Sequence, residues 1–160
     1  MKKNFLLIFC LGFLAFNLNA QVLDYNSLVS FIQNNSKENP KDKIITVNVW
    51  SANNKESRDA NMDLNNTVFT YKDAKLKNGN KGVIGISICI DNDEVGNNIA
   101  LKKDGISNLI RVNAKDVLNS IPLNGKTTGY NIGFDSSGNL LFENQQNTTF
   151  YNSIRNLITR

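Results

Sequence analysis

The sequence predicts an α/β domain of three layers, with a central mixed sheet and helices on both faces. Three observations carry this. "VIGISICI", residues 83–90, is almost continuously apolar, the mark of a strand buried on both faces of a parallel sheet. Strand-like and helix-period segments alternate along the chain, an order that builds a sheet covered on both sides. "YNIGF" and "NLLFE" flank "DSSG" as a β-hairpin, whose antiparallel strands make the sheet mixed.

The elements follow in order. Residues 22–35 place Tyr25, Leu28, Val29 and Ile32 on one helical face. "KENPKDK" ends that helix with a proline and a charged turn. "IITVNVW", 44–50, is β-branched and alternating, hence a strand. Residues 54–72 form a polar helix with Ala60, Leu64, Val68 and Tyr71 as its apolar positions. "NGNKG" is a turn before the second strand, 83–90. A third helix is expected within 91–104 and a short strand at "NLIRV". "AKDVLNSI" supplies a helical turn or two, and the hairpin follows. Residues 148–160 close the chain as a helix, capped by Thr148 or Thr149, with Phe150, Ile154, Leu157 and Ile158 as its buried stripe.

The first 20 residues are expected to lie outside the domain. Lys2 and Lys3, an apolar run from Phe5 to Phe16 and a polar tail ending in Ala20 have the order of a secretory signal peptide. The apolar run is short for a bilayer span, which takes about 20 residues. Phe9 before Cys10 does not fit lipoprotein processing. The reading is a signal peptide at 1–20, one domain at 21–160, and a periplasmic or secreted bacterial protein with no membrane span once the signal is removed. That chain loses two lysines, so 16 basic residues face 14 acidic ones and the net charge falls from +4 to +2. No basic block remains to argue for nucleic acid.

Composition narrows the chemistry. There is no histidine, which excludes histidine triads and histidine zinc sites. After signal removal Cys89 is the one cysteine, so no intramolecular disulfide can form. Cys89 sits within "ISICI" and reads as a small core residue. The sequons at Asn34, Asn65 and Asn147 reflect the abundance of asparagine. "NGKTTG", 124–129, lacks the preceding glycine and the helix of a P-loop and reads as a loop. "DNDE", 91–94, lacks the glycine and the distal glutamate of a calcium loop, so it reads as an acidic first turn of a helix. No metal or cofactor is implied.

The segment "VNVWSANNKESR", 47–58, resembles the strand and redox corner of the thioredoxin fold. It is similar to the exported bacterial thiol–disulfide oxidoreductases of the cytochrome-maturation type, whose pattern is "vNFWAxWCxxCR". Val47, Asn48, Trp50 and Arg58 match that pattern. Asn53 replaces the second tryptophan, and Asn54 and Ser57 stand in place of the two cysteines. "VIGISICID", "LKKDGIS" and "YNIGFDSSGNLL" resemble later family segments in the same order. The family's cis-proline lies six residues before the hairpin aspartate. Counting back from Asp135 places Gly129 there.

The resemblance implies a thioredoxin-like domain whose redox positions, Asn54, Ser57 and Gly129, have lost their chemistry. Thiol–disulfide exchange needs a thiolate and a second thiol, and amide and hydroxyl groups supply neither. No catalytic residue is therefore assigned. Asn53 is expected to cap the following helix, with Glu56 as its capping-box partner. The corner's free amides and the helix dipole could still hold an anion or a peptide backbone. One functional reading is an interaction module for an envelope protein or peptide, with Trp50, Asn53, Asn54 and Tyr130 as its surface. The alternative is an oxidoreductase or peroxidase working through Cys89 alone.

Overall fold

A computed structural model describes residues 23–113, 127–145 and 149–158 of the chain. Its parallel centre is β1 (Ile44–Trp50) beside β2 (Val83–Cys89), in register from Ile44↔Val83 to Trp50↔Cys89. β3 (Ile110–Asn113) continues the parallel arrangement beyond β2. β4 (Asn131–Phe134) and β5 (Leu140–Glu143) add the antiparallel hairpin beside β1, so the strand order is β3-β2-β1-β4-β5. The mixed sheet is the one expected from the sequence.

The helices are α1 (Tyr25–Asn35), α2 (Lys55–Tyr71), α3 (Glu94–Lys103) and α4 (Phe150–Arg155). Side chains alternate across a strand with period two, and this divides the core. Ile45, Val47 and Val49 point to one face with Ile84, Ile86 and Ile88, against Leu28, Phe31 and Ile32 of α1. Ile44, Trp50, Val83 and Cys89 point to the other, against Leu64 and Val68 of α2, Leu101 of α3 and Ile154 of α4. Every residue of β1 and β2 is buried, as the continuous apolar run predicts for a strand covered on both sides.

The second face is not purely apolar. Asn48 Nδ2 donates to Asn61 Oδ1 at 3.2 Å and to Ser57 O at 3.1 Å, and Asn61 Nδ2 donates to Ser87 Oγ at 2.8 Å. A polar seam therefore joins α2 to β1 and β2. Asn48, Ser57, Asn61 and Ser87 are all buried. Arg58 adds a forked pair to Asp104, with Nε 2.8 Å from Oδ2, which ties α2 to the end of α3.

Some expected boundaries move. The third helix starts at Glu94 because Asp93 caps it, accepting from Gly96 N at 3.0 Å. Asp91, the other acid of the "DNDE" stretch, lies outside the helix and binds the corner described below. The last helix ends at Arg155. Beyond it Leu157 O accepts from Lys77 N at 2.7 Å, and Ile158 bridges to Leu76, so the backbone pairs with a neighbouring segment instead of continuing the helix. Thr149 is its cap. Asn65, within a sequon, is buried and accepts from Ser107 N and Asn108 N, which removes it as a glycan acceptor. The expected signal peptide, the expected "AKDVLNSI" helix, the first half of the "NGKTTG" loop and Asn147 lie outside the described residues. Among the described residues no helix is long and apolar enough to cross a membrane.

Candidate functional site

The corner between β1 and α2 is built by a tight turn. β1 ends at Trp50, and Asn54 N donates to Ser51 O at 3.1 Å, closing residues 51–54. This turn places Asn54 in an extended conformation (φ −105°, ψ 107°) at the N-cap, one residue later than expected from the sequence. Asn54 Oδ1 accepts from Ser57 N at 2.8 Å. Ser57 Oγ returns a bond to Asn54 O at 3.0 Å and accepts from Ser51 N at 3.2 Å. The cap is therefore Asn54 with Ser57, not Asn53 with Glu56. Glu56 remains in the first turn, where a carboxylate favours the helix dipole. Asn54 and Ser57, the two positions where the resemblance implies redox cysteines, are joined to each other by two hydrogen bonds.

The expected anion-binding amides are largely occupied. Ala52 N donates to Asp91 Oδ2 at 2.6 Å, and Asn53 N donates to Ser51 Oγ at 3.3 Å. Asp91 thus clamps the corner from the end of β2. With Ser51, Ala52, Asn53, Asn54 and Ser57 all donating within the protein, the turn does not present the open N–H nest that an anion needs.

The expected interaction surface also contracts. Of its four residues, Asn53 and Asn54 are exposed, whereas Trp50 is 1% and Tyr130 4% exposed. Trp50 continues the strand alternation into the core beside α2 and α3. Tyr130 lies in the opposite core, and its hydroxyl donates to Glu143 at 2.7 Å. Burial, reinforced by that hydrogen bond to a carboxylate, pushes the Tyr130 phenol far above its ordinary value. Neither ring can anchor a partner from this position.

Gly129 lies beside the corner. It is exposed, and its N–H donates to Val49 O at 2.8 Å while Val49 N donates to Tyr130 O at 2.8 Å. Its φ is +90°. Proline is fixed near −65° and has no N–H, so this backbone conformation is closed to it. Among the described residues there is no cis peptide bond.

Cys89 pairs across the sheet with Trp50 and is 2% exposed. Burial pushes its thiol up to about 11, and the sulfur lies 3.8 Å from Asp91 Oδ2. At neutral pH a thiol of that pKa is ionised in roughly one molecule in ten thousand, and the thiolate is the nucleophile. These are the conditions of an inert core cysteine. Native protein is expected to react with a thiol reagent at least about a hundredfold more slowly than after denaturation. Cys89→Ala should cost about 1 kcal/mol in urea unfolding and nothing else. Fast labelling of the native protein would contradict this account. Among the described residues no three His, Cys, Asp or Glu side chains come together as a metal site.

Solved structures share this fold. The thioredoxin domain of a thiol-disulfide oxidoreductase from Bacteroides vulgatus superposes with a TM-score of 0.57 at 20% identity, over 75% of this chain and 82% of that one. A thiol-disulfide oxidoreductase from Bacteroides fragilis gives 0.52 at 22% identity, over 72% and 82%. A secreted disulfide oxidoreductase of Mycobacterium tuberculosis gives 0.57 at 12% identity, over 73% and 84%. No protein-family model matches the sequence, and no curated protein matches it. The fold is thioredoxin-like, the one its segments resemble.

Proposed function

We propose that this chain is an exported thioredoxin-like domain that performs no thiol–disulfide exchange and serves as an interaction module for a protein or peptide of the cell envelope. One observation carries the reading. Asn54 and Ser57, where the resemblance implies the redox pair, are spent on capping α2 through mutual hydrogen bonds. Gly129 supports it, because its conformation excludes the proline that in redox relatives faces the cysteines. Export is supported by the leader-like N-terminus and by the secreted disulfide oxidoreductase among the similar structures.

The partner surface under this reading is the exposed polar tip formed by Asn53 and Asn54. Insulin reduction with a dithiol donor tests the loss of exchange chemistry. The expected rate is that of the donor alone, and turnover comparable to a thioredoxin would refute the proposal. Affinity capture from an envelope extract tests the surface. Asn53→Ala/Asn54→Ala should lose the partner that wild type captures. Equal capture by two folded proteins would move the surface elsewhere.

A further inference from the structure

A second feature lies at the other end of the sheet. β1 is seven residues long, so its N-terminal end is about 20 Å from the corner. There a cavity of about 290 Å³ opens between the end of α1, the end of α2 and the segment leading into β3. Val68, Val83 and Leu109 form an apolar part of its lining, beside Ser36, Ser107 and Asn108. Its charged lining is Lys37, Lys43 and Lys72 against the single acid Glu38. Lys37 and Lys72 are exposed at the rim. Lys43 is held in place, with Nζ donating to Lys72 O at 2.9 Å. Its ion pair with Asp73 is long at 3.9 Å, and that carboxylate is 87% exposed, so it offsets little of the charge.

The sheet itself leaves the gap. β2 begins at Val83 beside Ile44 of β1, but β3 begins only opposite Ile86. Among the described residues, Val83, Ile84 and Gly85 therefore have no strand on their outer side. Gly85 cannot be replaced by a larger residue there without conflict, because a Cβ would stand 2.5 Å from Leu109 and 2.7 Å from Val68.

We infer that this cavity binds a small aliphatic carboxylate, its tail on the apolar part of the lining and its head among Lys37, Lys43 and Lys72. Two features select that class. The excess of positive charge at the rim complements an anion, and an ion pair beside an apolar wall is screened less than one in open solvent. The apolar part of the lining favours a ligand with a hydrophobic body, which inorganic anions lack. The volume is at the lower end for ligand pockets, so the ligand is small. This inference is independent of the proposed function, since no residue of the corner takes part.

The experiment is a titration of the full domain with octanoate, followed by amide NMR, with octanol and inorganic phosphate as controls. Saturable shifts are expected at 36–38, 83–85 and 107–110, with the corner at 51–57 unmoved. Octanol and phosphate should each bind more weakly than octanoate. Lys72→Met should weaken octanoate about three- to fivefold, the contribution of one partly exposed ion pair. Lys43→Met should do the same. Lys72 is exposed, so its substitution keeps the test open if the Lys43 variant is poorly folded. Scattered or non-saturating shifts would overturn the inference. So would equal binding of octanol or of phosphate, or a folded Lys72 variant with wild-type affinity.

Discussion

Asn54→Cys/Ser57→Cys is expected to acquire a reversible intramolecular disulfide and measurable insulin reductase activity, neither of which the proposed function gives the wild-type chain. The geometry is already in place. The two residues are the N-cap and third residue of α2, close enough for Asn54 Oδ1 to accept from Ser57 N at 2.8 Å. A thiolate at position 54 would face the positive end of a 17-residue helix, which lowers thiol pKa. Position 57 is buried, as suits a second thiol shielded from solvent. Thiol counting after denaturation, with and without prior oxidant, gives the first readout: two additional thiols when reduced, none when oxidised. A folded variant that remains a dithiol under oxidant would show that these positions do not superpose on a redox pair. Activity should stay below that of an ordinary thioredoxin, because Gly129 remains where the resemblance implies a cis-proline.

Asp135→Ala is expected to cost about 3 kcal/mol at pH 7, the largest stability loss from a single side chain outside the apolar core. Asp135 is buried in the turn between β4 and β5. Its carboxylate accepts from Ser137 N, Asn139 N and Asn139 Nδ2, each at 2.9 Å. Truncation leaves these donors unpaired in a partly buried turn, and hydrogen bonds to a charged group contribute about 1.5–3 kcal/mol each before relaxation and water recover part of the loss. The same turn is fastened by Ser136, whose N–H donates to Asn80 Oδ1 at 2.8 Å and whose carbonyl accepts from Tyr25 Oη at 2.9 Å. Burial alone would raise the Asp135 pKa, but the bonds from Asn139, Ser137 and Gly138 outweigh it and hold the carboxyl below its ordinary value. A depressed folded pKa stabilises the protein above the unfolded value, about 3.9. That contribution is lost as pH falls through the folded value. The stability gap between wild type and Asp135→Asn should therefore be constant from pH 7 to 5 and shrink below pH 4. Urea unfolding at several pH values measures it, and a gap independent of pH would contradict the assignment.

Much of the fold was legible because the strongest periodic signals were local. Ile44–Trp50 alternates and is β-branched, and its observed bounds match the reading. The hairpin and α2 followed from turn chemistry and helical period. The corner was harder. Asn53 and Asn54 are equally good caps, and only the closed turn from Ser51 decides between them. Trp50 and Tyr130 looked available because aromatic residues often anchor interfaces, but the strand alternation carries both into the core. Asn61 was invisible for the opposite reason. A polar residue on a polar helix reads as solvent-facing, and its partners Asn48 and Ser87 lie on separate strands. The cavity at the far end takes Lys37 and Lys43 from the turn after α1 and Lys72 from the end of α2, and no local pattern joins the two.

Under the proposed loss of exchange chemistry, the closure of Asn54 upon Ser57 also frees this domain from the electron supply around it. A corner tied by sulfur exists in two covalent forms, and the ambient potential decides which one is populated. Forming that bond takes seconds to hours and needs an oxidant. A corner tied by an amide and a hydroxyl forms as soon as the first helical turn does, on the sub-microsecond scale of helix formation. Only one covalent form then leaves the ribosome and persists. Its shape is the same wherever the chain is delivered, whether oxidants are plentiful there or scarce.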